Sequence, residues 1–210
     1  MEENLAILMA DLSGYTALTE THGSLSAADL IDKYLGIVNN CLVGDSKLNE
    51  RTGDEVMIIS SSADNLLASA LLLMKLVSGE ENFLQVHGGL HYGKVLSRNN
   101  SLFGAAINLT ARIAAKSGSG TFWCSQDFVN ALSCKSAVKL HPKGKHRLKN
   151  IAEQHEIFEI GVEDKQAFYI DPVCRMLILN TANAIKHPAS EELFFCSPTC
   201  LDIFHKKSTS

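Results

Sequence analysis

The order of periodic segments predicts an α+β fold related to the ferredoxin-like βαββαβ unit, with one sheet backed by helices. Two observations carry this expectation. Short apolar runs of strand length alternate with segments whose apolar residues recur at helical spacing, and turns built on Gly and Asp separate them. Residues Leu5 to Ala10 form an apolar run stopped by Asp11-Leu12-Ser13-Gly14, which predicts a buried strand delivering an acidic residue into a turn. From Ser24 to about Val43, apolar Leu30, Ile31, Tyr34, Leu35 and Val38 have the spacing of an amphipathic helix. A hairpin follows, with strands over 47–51 and 55–59 joined by Thr52-Gly53-Asp54. Ser62 to Leu76 reads as a helix with Asp64 in its first turn, and Leu84 to Val95 as a long strand broken by Gly88, Gly89 and Gly93. Ala105 to Lys116 is again helical and Gly120 to Cys124 extended. After Ile160 the polar stretch beginning at Gly161 loses periodicity, so a first domain over 1–160, a linker over 161–167 and a small module over 168–210 are expected.

Composition limits the function classes. With 46% apolar and 20% charged residues, the 210-residue chain has the balance of an ordinary globular protein. A net charge of −4, with no basic stretch longer than the cluster Lys143, Lys145, His146, Arg147 and Lys149, gives no footprint for nucleic acid. The start, Met1-Glu2-Glu3-Asn4, is acidic where a secretory signal would be basic, and no run approaches the 18 apolar residues of a membrane helix. A cytoplasmic protein with no membrane partner is expected. In that compartment six cysteines are thiols or metal ligands before they are disulfides; Cys41, Cys124 and Cys134 are scattered, whereas Cys174, Cys196 and Cys200 cluster.

Asp11 and Asp54 each follow or precede an apolar strand, and one sheet can bring such residues together. Two carboxylates with substrate phosphates are a common way to hold Mg²⁺, although on spacing alone solvated turn aspartates are far commoner. Asn108 and Arg112 stand at i and i+4 of the predicted helix and project from one face, which by itself is also an ordinary solvated face. His87 and His91 alternate on their strand and read as locally hydrogen-bonded histidines with no further role.

Taken together, these strings resemble the class III adenylate and guanylate cyclases over about 150 residues. "MADLSGYTALTE" is similar to that family's first metal segment and "ERTGDEVM" to its second. "GGLHYGKV" is similar to the strand that follows, "FGAAINLTARI" to the catalytic helix, and "GKHRLKNI" with "HEIFEI" to the closing strands. The resemblance implies an enzyme, a phosphorus-oxygen lyase. It would convert ATP or GTP to a 3′,5′-cyclic nucleotide, cAMP or cGMP, and pyrophosphate, in intracellular signalling. Asp11 and Asp54 would bind two Mg²⁺ or Mn²⁺, Asn108 would orient the ribose, and Arg112 would stabilise charge on the phosphoryl oxygens. It further implies a head-to-tail homodimer, with the metal aspartates from one subunit and the Asn/Arg helix from the other.

The chain departs from the adenylate cyclase pattern at the base-recognition positions, which hold Glu50 and Ser101 in place of lysine and aspartate. Glutamate only accepts hydrogen bonds, which suits guanine N1–H and its amine, and the serine hydroxyl is able to donate to guanine O6. A one-residue shift in the loop 98–101 would change the side chain facing the base, so ATP and GTP both stay open. That loop is short, so any dimer-stabilising arm is reduced. Lys149-Asn150-Ile151 departs from the expected Lys-Gly-Lys; Lys145 and Lys149 are candidates to replace that phosphate contact, though a solvated strand or loop is the commoner setting for such lysines.

In the tail, "DPVCRM" and "FFCSPTC" give the spacing Cys-x21-Cys-x3-Cys. Three thiolates so placed suit a soft ion such as Zn²⁺ or Cu⁺, with His187, His205 and Asp171 as candidates for a fourth ligand. This stretch resembles the YHS domain, related to the TRASH metal-binding modules, except that its usual Cys-Gly-Met is Cys-Arg-Met. The competing reading of the whole chain is a catalytically silent cyclase-like dimerisation or nucleotide-binding module attached to a metal-sensing tail. A template-dependent polymerase palm shares the two-metal logic but lacks a basic surface.

Overall fold

A computed structural model describes residues 1–99, 101–135, 138–161 and 168–208. Its principal sheet has strands β1 (Glu2–Leu12), β2 (Lys47–Thr52), β3 (Glu55–Ser60), β4 (Val86–Arg98), β5 (Ser101–Phe103), β6 (Phe122–Ser125), β7 (Lys139–Arg147) and β8 (Gln154–Gly161). The order is β2-β3-β1-β4-β6-β8-β7, with β5 paired to the far end of β4. β4 and β6 pair in parallel and the other neighbours antiparallel. The α+β expectation of one sheet backed by helices is met.

Helices α1 (Tyr15–Cys41), α2 (Ala63–Ser78) and α4 (Gln126–Ala131) lie on one face, and α3 (Ala105–Ala114) on the other. β1 shows why. Its side chains alternate, so Ala6, Leu8, Ala10 and Leu12 join Ile31, Tyr34 and Leu66 of the first helical layer. Leu5, Ile7 and Met9 instead pack with Ala106 and Ala114 of α3. A strand covered on both faces reads as a continuous apolar run, which is why Leu5 to Ala10 carries no polar alternation. By the same alternation Asp11 belongs to the α3 face.

Several boundaries differ from expectation. β1 continues through Leu12, so Asp11 sits within the ladder, opposite His87, rather than in the turn after it. α1 begins at Tyr15, well before the expected Ser24, with Gly23 at φ 81°, ψ 172° kinking it inside. α4 was not anticipated; it is a six-residue helix started by Ser125, whose hydroxyl accepts from the Phe128 amide. Gly161 closes β8 instead of opening a linker, and residues 162–167 of that expected linker lie outside the described residues. Among the described residues, no helix is long and apolar enough to cross a membrane.

The glycines expected to break β4 do not; they let neighbours approach. A Cβ on Gly88 would lie 2.5 Å from the Met9 carbonyl oxygen, and one on Gly89 would lie 2.4 Å from the Ala114 nitrogen and 2.7 Å from the Thr110 carbonyl oxygen. Neither contact yields by rotating a side chain, since the obstacles are backbone. Gly89→Ala is therefore expected to lift α3 from the sheet and to cost about 1–3 kcal/mol, measured as a lower urea midpoint with unchanged slope.

The tail forms two small hairpins, β9 (Tyr169–Ile170) with β10 (Leu177–Ile178) and β11 (Ile185–Lys186) with β12 (Phe194–Phe195), followed by α5 (Pro198–Ser208). Phe195 is fully buried and stacks edge-on to Phe204 at 5.3 Å.

Candidate functional site

The antiparallel register of β1 with β3 pairs Ala10 with Val56, so Asp11 meets the turn that joins β2 to β3. That turn requires Gly53 at φ 63°, a left-handed conformation that glycine adopts at no steric cost, and it carries Asp54. The carboxyl groups of Asp11 and Asp54 are close enough to act directly on each other. Burial first, and then the adjacent Asp11 carboxyl and its charge, push the Asp54 carboxyl up to about 6. Glu55 is raised as well, by burial and by the charges of Asp54 and Glu50. A half-buried end of the sheet thus gathers acidic groups that repel one another, a place where a cation would relieve the repulsion. The Leu12 amide donates to Asp11 Oδ1 at 3.0 Å.

His87, opposite Asp11 on β4, was assigned no role from its sequence. Its Nδ1 lies 3.0 Å from Ser13 Oγ, and the Ser13 amide donates to the Gln85 carbonyl at 2.8 Å. These contacts hold the segment after Asp11 against β4, and alternation along the strand gave no sign of them. His91 behaves as expected of a satisfied core histidine: its Nδ1 is 2.7 Å from Ser125 Oγ, and burial pushes it down to about 4.

On α3, Leu109 and Ile113 are buried, while Asn108 is exposed and Arg112 half-exposed one turn further on. Among the described residues, no hydrogen bond or ion pair joins Arg112 to Asp11 or Asp54. Within one chain the structure therefore brings the two aspartates together and leaves the Asn108/Arg112 pair presented outward.

Glu50 and Ser101 are both exposed, on β2 and at the start of β5, with β3, β1 and β4 between those strands in the sheet. A β-bulge between Leu48 and Glu50 shifts the register of β2 against β3. A groove of about 550 Å³ on the α3 face runs between these strands, and it is lined by Lys47 and Asn49 of β2, Leu102 of β5, and Ser60, Ser61 and Ser97. Lys47 and Asn49 were not singled out from sequence, because a bulge decides which residues of an edge strand face the groove and it leaves no local signature here. Lys145 lies on the exposed part of β7, opposite Glu156.

The second cluster is in the tail. Cys174 Sγ lies 3.5 Å from Cys196 Sγ, which is 3.8 Å from Cys200 Sγ. Sulfurs around a tetrahedral ion with metal–sulfur bonds of about 2.3 Å would stand about 3.8 Å apart, so the spacing already matches a thiophilic cation. Among the described residues, Asp171 is the carboxylate that joins them, all four ligand atoms lying within 4.8 Å of one another. Asp171 is fully buried, and its oxygens accept from the amides of Val173 at 2.8 Å, Cys174 at 3.1 Å and Cys196 at 2.8 Å. Against its burial, these amides hold the carboxyl down at about 2. Asp171 thus ties the two cysteine-bearing turns together. His187 and His205 pair with each other instead, Nε2 to Nε2 at 3.3 Å. Burial, Asp171 and the neighbouring thiols push Cys196 up to about 12. Cys41 and Cys124 are buried elsewhere in the core, likewise raised to about 12 mainly by burial, and serve as apolar packing.

No family model matches the chain. An uncharacterized protein of Mycobacterium tuberculosis is 37% identical over 112 residues, covering 53% of this chain and 30% of that protein. A protein of Glutamicibacter nicotianae named adenylate cyclase is 28% identical over 117 residues, covering 55% of this chain and 29% of that one. The chain spans about 30% of the length of these curated relatives. Among solved structures, a monomeric adenylate cyclase of Trypanosoma brucei superposes with a TM-score of 0.70 at 15% identity, covering 91% of this chain and 95% of that one. The adenylyl cyclase CyaB of P. aeruginosa gives 0.67 at 16%, covering 79% and 97%. The guanylate cyclase domain of RhGC from Catenaria anguillulae, in complex with GTP, gives 0.64 at 16%, covering 78% and 100%. The fold is that of a nucleotide cyclase catalytic domain.

The proximity of the two carboxylates makes a prediction that needs no ligand. In metal-free protein, Asp11→Asn removes the repelling charge, so the Asp54 carboxyl is expected to titrate below the value of about 6 it has beside Asp11, while its burial still holds it above the ordinary carboxylate value. A carbon-13 NMR titration of the Asp side chains checks it; an unchanged Asp54 midpoint would mean that burial alone sets the value.

Proposed function

We propose that the chain is a nucleotide cyclase that closes the 3′-hydroxyl of a purine nucleoside triphosphate onto its α-phosphorus and releases pyrophosphate. The observation that carries this reading is the Asp11–Asp54 carboxylate pair, pressed together at the end of β1 on the face that also holds α3. Those oxygens fit a pair of hard divalent cations, Mg²⁺ or Mn²⁺, since such ions take carboxylate oxygens together with substrate phosphates. Bound there, the ions would supply Lewis-acid activation of the hydroxyl and neutralise the triphosphate.

The chain's own side chains do the rest. Asn108 offers an amide that donates and accepts, suited to fixing the ribose. Arg112 brings a fixed cationic fork to the phosphoryl oxygens as their charge grows, a contribution of several kcal/mol in such transition states. Because Asn108 and Arg112 face outward and do not reach the aspartates of their own chain, the complete site is assigned to a head-to-tail homodimer that joins one subunit's aspartates to the other's α3. Base choice falls to Glu50 and Ser101, with the neighbouring Asn49 at the groove. Their chemistry favours guanine, the name of the Glutamicibacter relative favours adenine, and both triphosphates are kept as substrates.

Purified protein with Mn²⁺ or Mg²⁺ is expected to cyclise ATP or GTP, measured in parallel, and Asp54→Ala to lower turnover by at least about 100-fold. Neither triphosphate reacting with a verified dimer would favour the silent module. Mixing inactive Asp54→Ala with inactive Arg112→Ala protein is expected to restore one site per heterodimer, so activity returns on mixing.

For the tail we propose a thiophilic ion, Zn²⁺ or Cu⁺, on Cys174, Cys196 and Cys200. The sulfur spacing supports it, and Asp171 serves as the organiser of the two turns or as the fourth ligand. Cobalt(II) or cadmium(II) added to metal-free protein is expected to give one equivalent of thiolate charge-transfer absorption. The Cys196→Ser, Cys200→Ser double variant should abolish it, and absorption surviving in that variant would reject these ligands.

A further inference from the structure

The residue that sets the tail apart from its usual Cys-Gly-Met pattern is also the one that ties it to the rest of the molecule. Arg175 sits at φ 63°, in the left-handed region where glycine is at ease and a Cβ is strained. The strain is held in place by contacts on both sides. The Arg175 amide donates to the Asp171 carbonyl at 2.9 Å, inside the turn that presents Cys174. Its guanidinium Nη2 donates to the Asn40 carbonyl at 2.6 Å, and its own carbonyl accepts from the Gly44 amide at 3.0 Å.

Those two partners lie at the C-terminal end of α1. The last carbonyls of a helix lack intrahelical donors and carry negative partial charge, so a cation there is favourable. α1 has no basic residue in its own last turn. Arg175 supplies that cation from 135 residues further along the chain. Directly after Gly44, Asp45 is fastened to the end of β3 and the start of α2: its carboxylate accepts from the hydroxyls of Ser60 and Ser61, the Ser61 amide at 2.7 Å, and Asn65 Nδ2 at 3.0 Å. β2 begins two residues later and runs to Glu50 and the Asp54 turn. The junction 40–47 is thus gripped by the tail on one side and by Asp45 on the other.

We infer that Arg175 couples the thiol cluster to the catalytic domain: a thiophilic cation on Cys174, Cys196 and Cys200 fixes the 171–176 turn, and Arg175 passes that order to the end of α1 and the start of β2. This rests on the metal reading of the tail. The turn bearing Cys174 and the segment bearing Cys196 and Cys200 are linked by the Asp171–Cys196 hydrogen bond and by thiol contacts. Three metal–thiolate bonds would cross-link them far more firmly. Linkage makes the effect reciprocal, so docking of Arg175 strengthens metal binding by the same factor that metal strengthens docking.

The test is amide hydrogen exchange of the full chain, stripped by a thiophilic chelator or reloaded with zinc(II), for wild type and Arg175→Gly. Glycine suits the local backbone, so this variant keeps the cysteines and their turn. Zinc is expected to slow exchange across 38–46 in wild type by about fivefold or more. Arg175→Gly keeps the carbonyl bond to the Gly44 amide but loses the guanidinium bond to Asn40, so zinc should slow exchange of that segment clearly less than in wild type, and zinc affinity should fall. Stoichiometric zinc uptake with unchanged exchange at 38–46 in wild type would overturn the coupling while leaving the metal site standing. An equal zinc effect in both proteins would likewise overturn it, removing Arg175 as the link. Failure of wild type to take up zinc would overturn the coupling and the metal reading together. None of these readouts depends on cyclase turnover.

Discussion

Two like charges held side by side are the constraint around which the principal sheet is arranged. The Asp11 and Asp54 carboxyls meet because β1 and β3 keep one antiparallel register from Ala6–Ser60 to Ala10–Val56, which brings the end of one strand to the turn before the other. A register slip of one residue would turn Asp11 to the opposite face, so the ladder fixes the face as well as the distance. β1 can bear the repulsion because it is paired on both sides and buried on both faces. The Leu12 amide and the contact between Ser13 and His87 steady the backbone where the charge is concentrated.

The other half of the candidate site depends on the absence of side chains. Gly88 and Gly89 allow the backbones of β1 and α3 to close on β4, and α3 then lies flat enough to bury Leu109 and Ile113 while Asn108 remains exposed. The small residues Ala106, Ala111 and Ala114 extend this close fit along the helix. What sets the helix's outward chemistry is therefore the tightness of its inward packing.

The tail repeats the same physical theme with softer atoms. Three sulfurs lie at coordination spacing, and a buried carboxylate organises the turns around them through backbone amides. As with the two aspartates, the arrangement is unfavourable to several ionised groups in the absence of a cation. Arg175 connects this cluster to α1, so the tail is joined to the helices of the principal sheet by more than the covalent chain.

By itself the sequence determined the α+β alternation, the two aspartates, the Asn108–Arg112 spacing and the cysteine grouping, because each is a local pattern of residue types at fixed intervals. Strand limits were less legible: Asp11 reads as a turn residue in isolation, but ladder pairing with His87 extends β1 past it. Likewise Gly88 and Gly89 look like strand breakers, and only the neighbouring backbones reveal that they are contact points. Tertiary structure alone decided that Asp11 and Asp54 come side by side, that Lys47 and Asn49 line the groove beside β5, that Asp171 rather than His187 or His205 joins the sulfurs, and that Arg175 reaches Asn40. The reason is common to all four: each joins residues remote in the chain through register, bulge or docking, and local periodicity carries no information about contacts made at such separation.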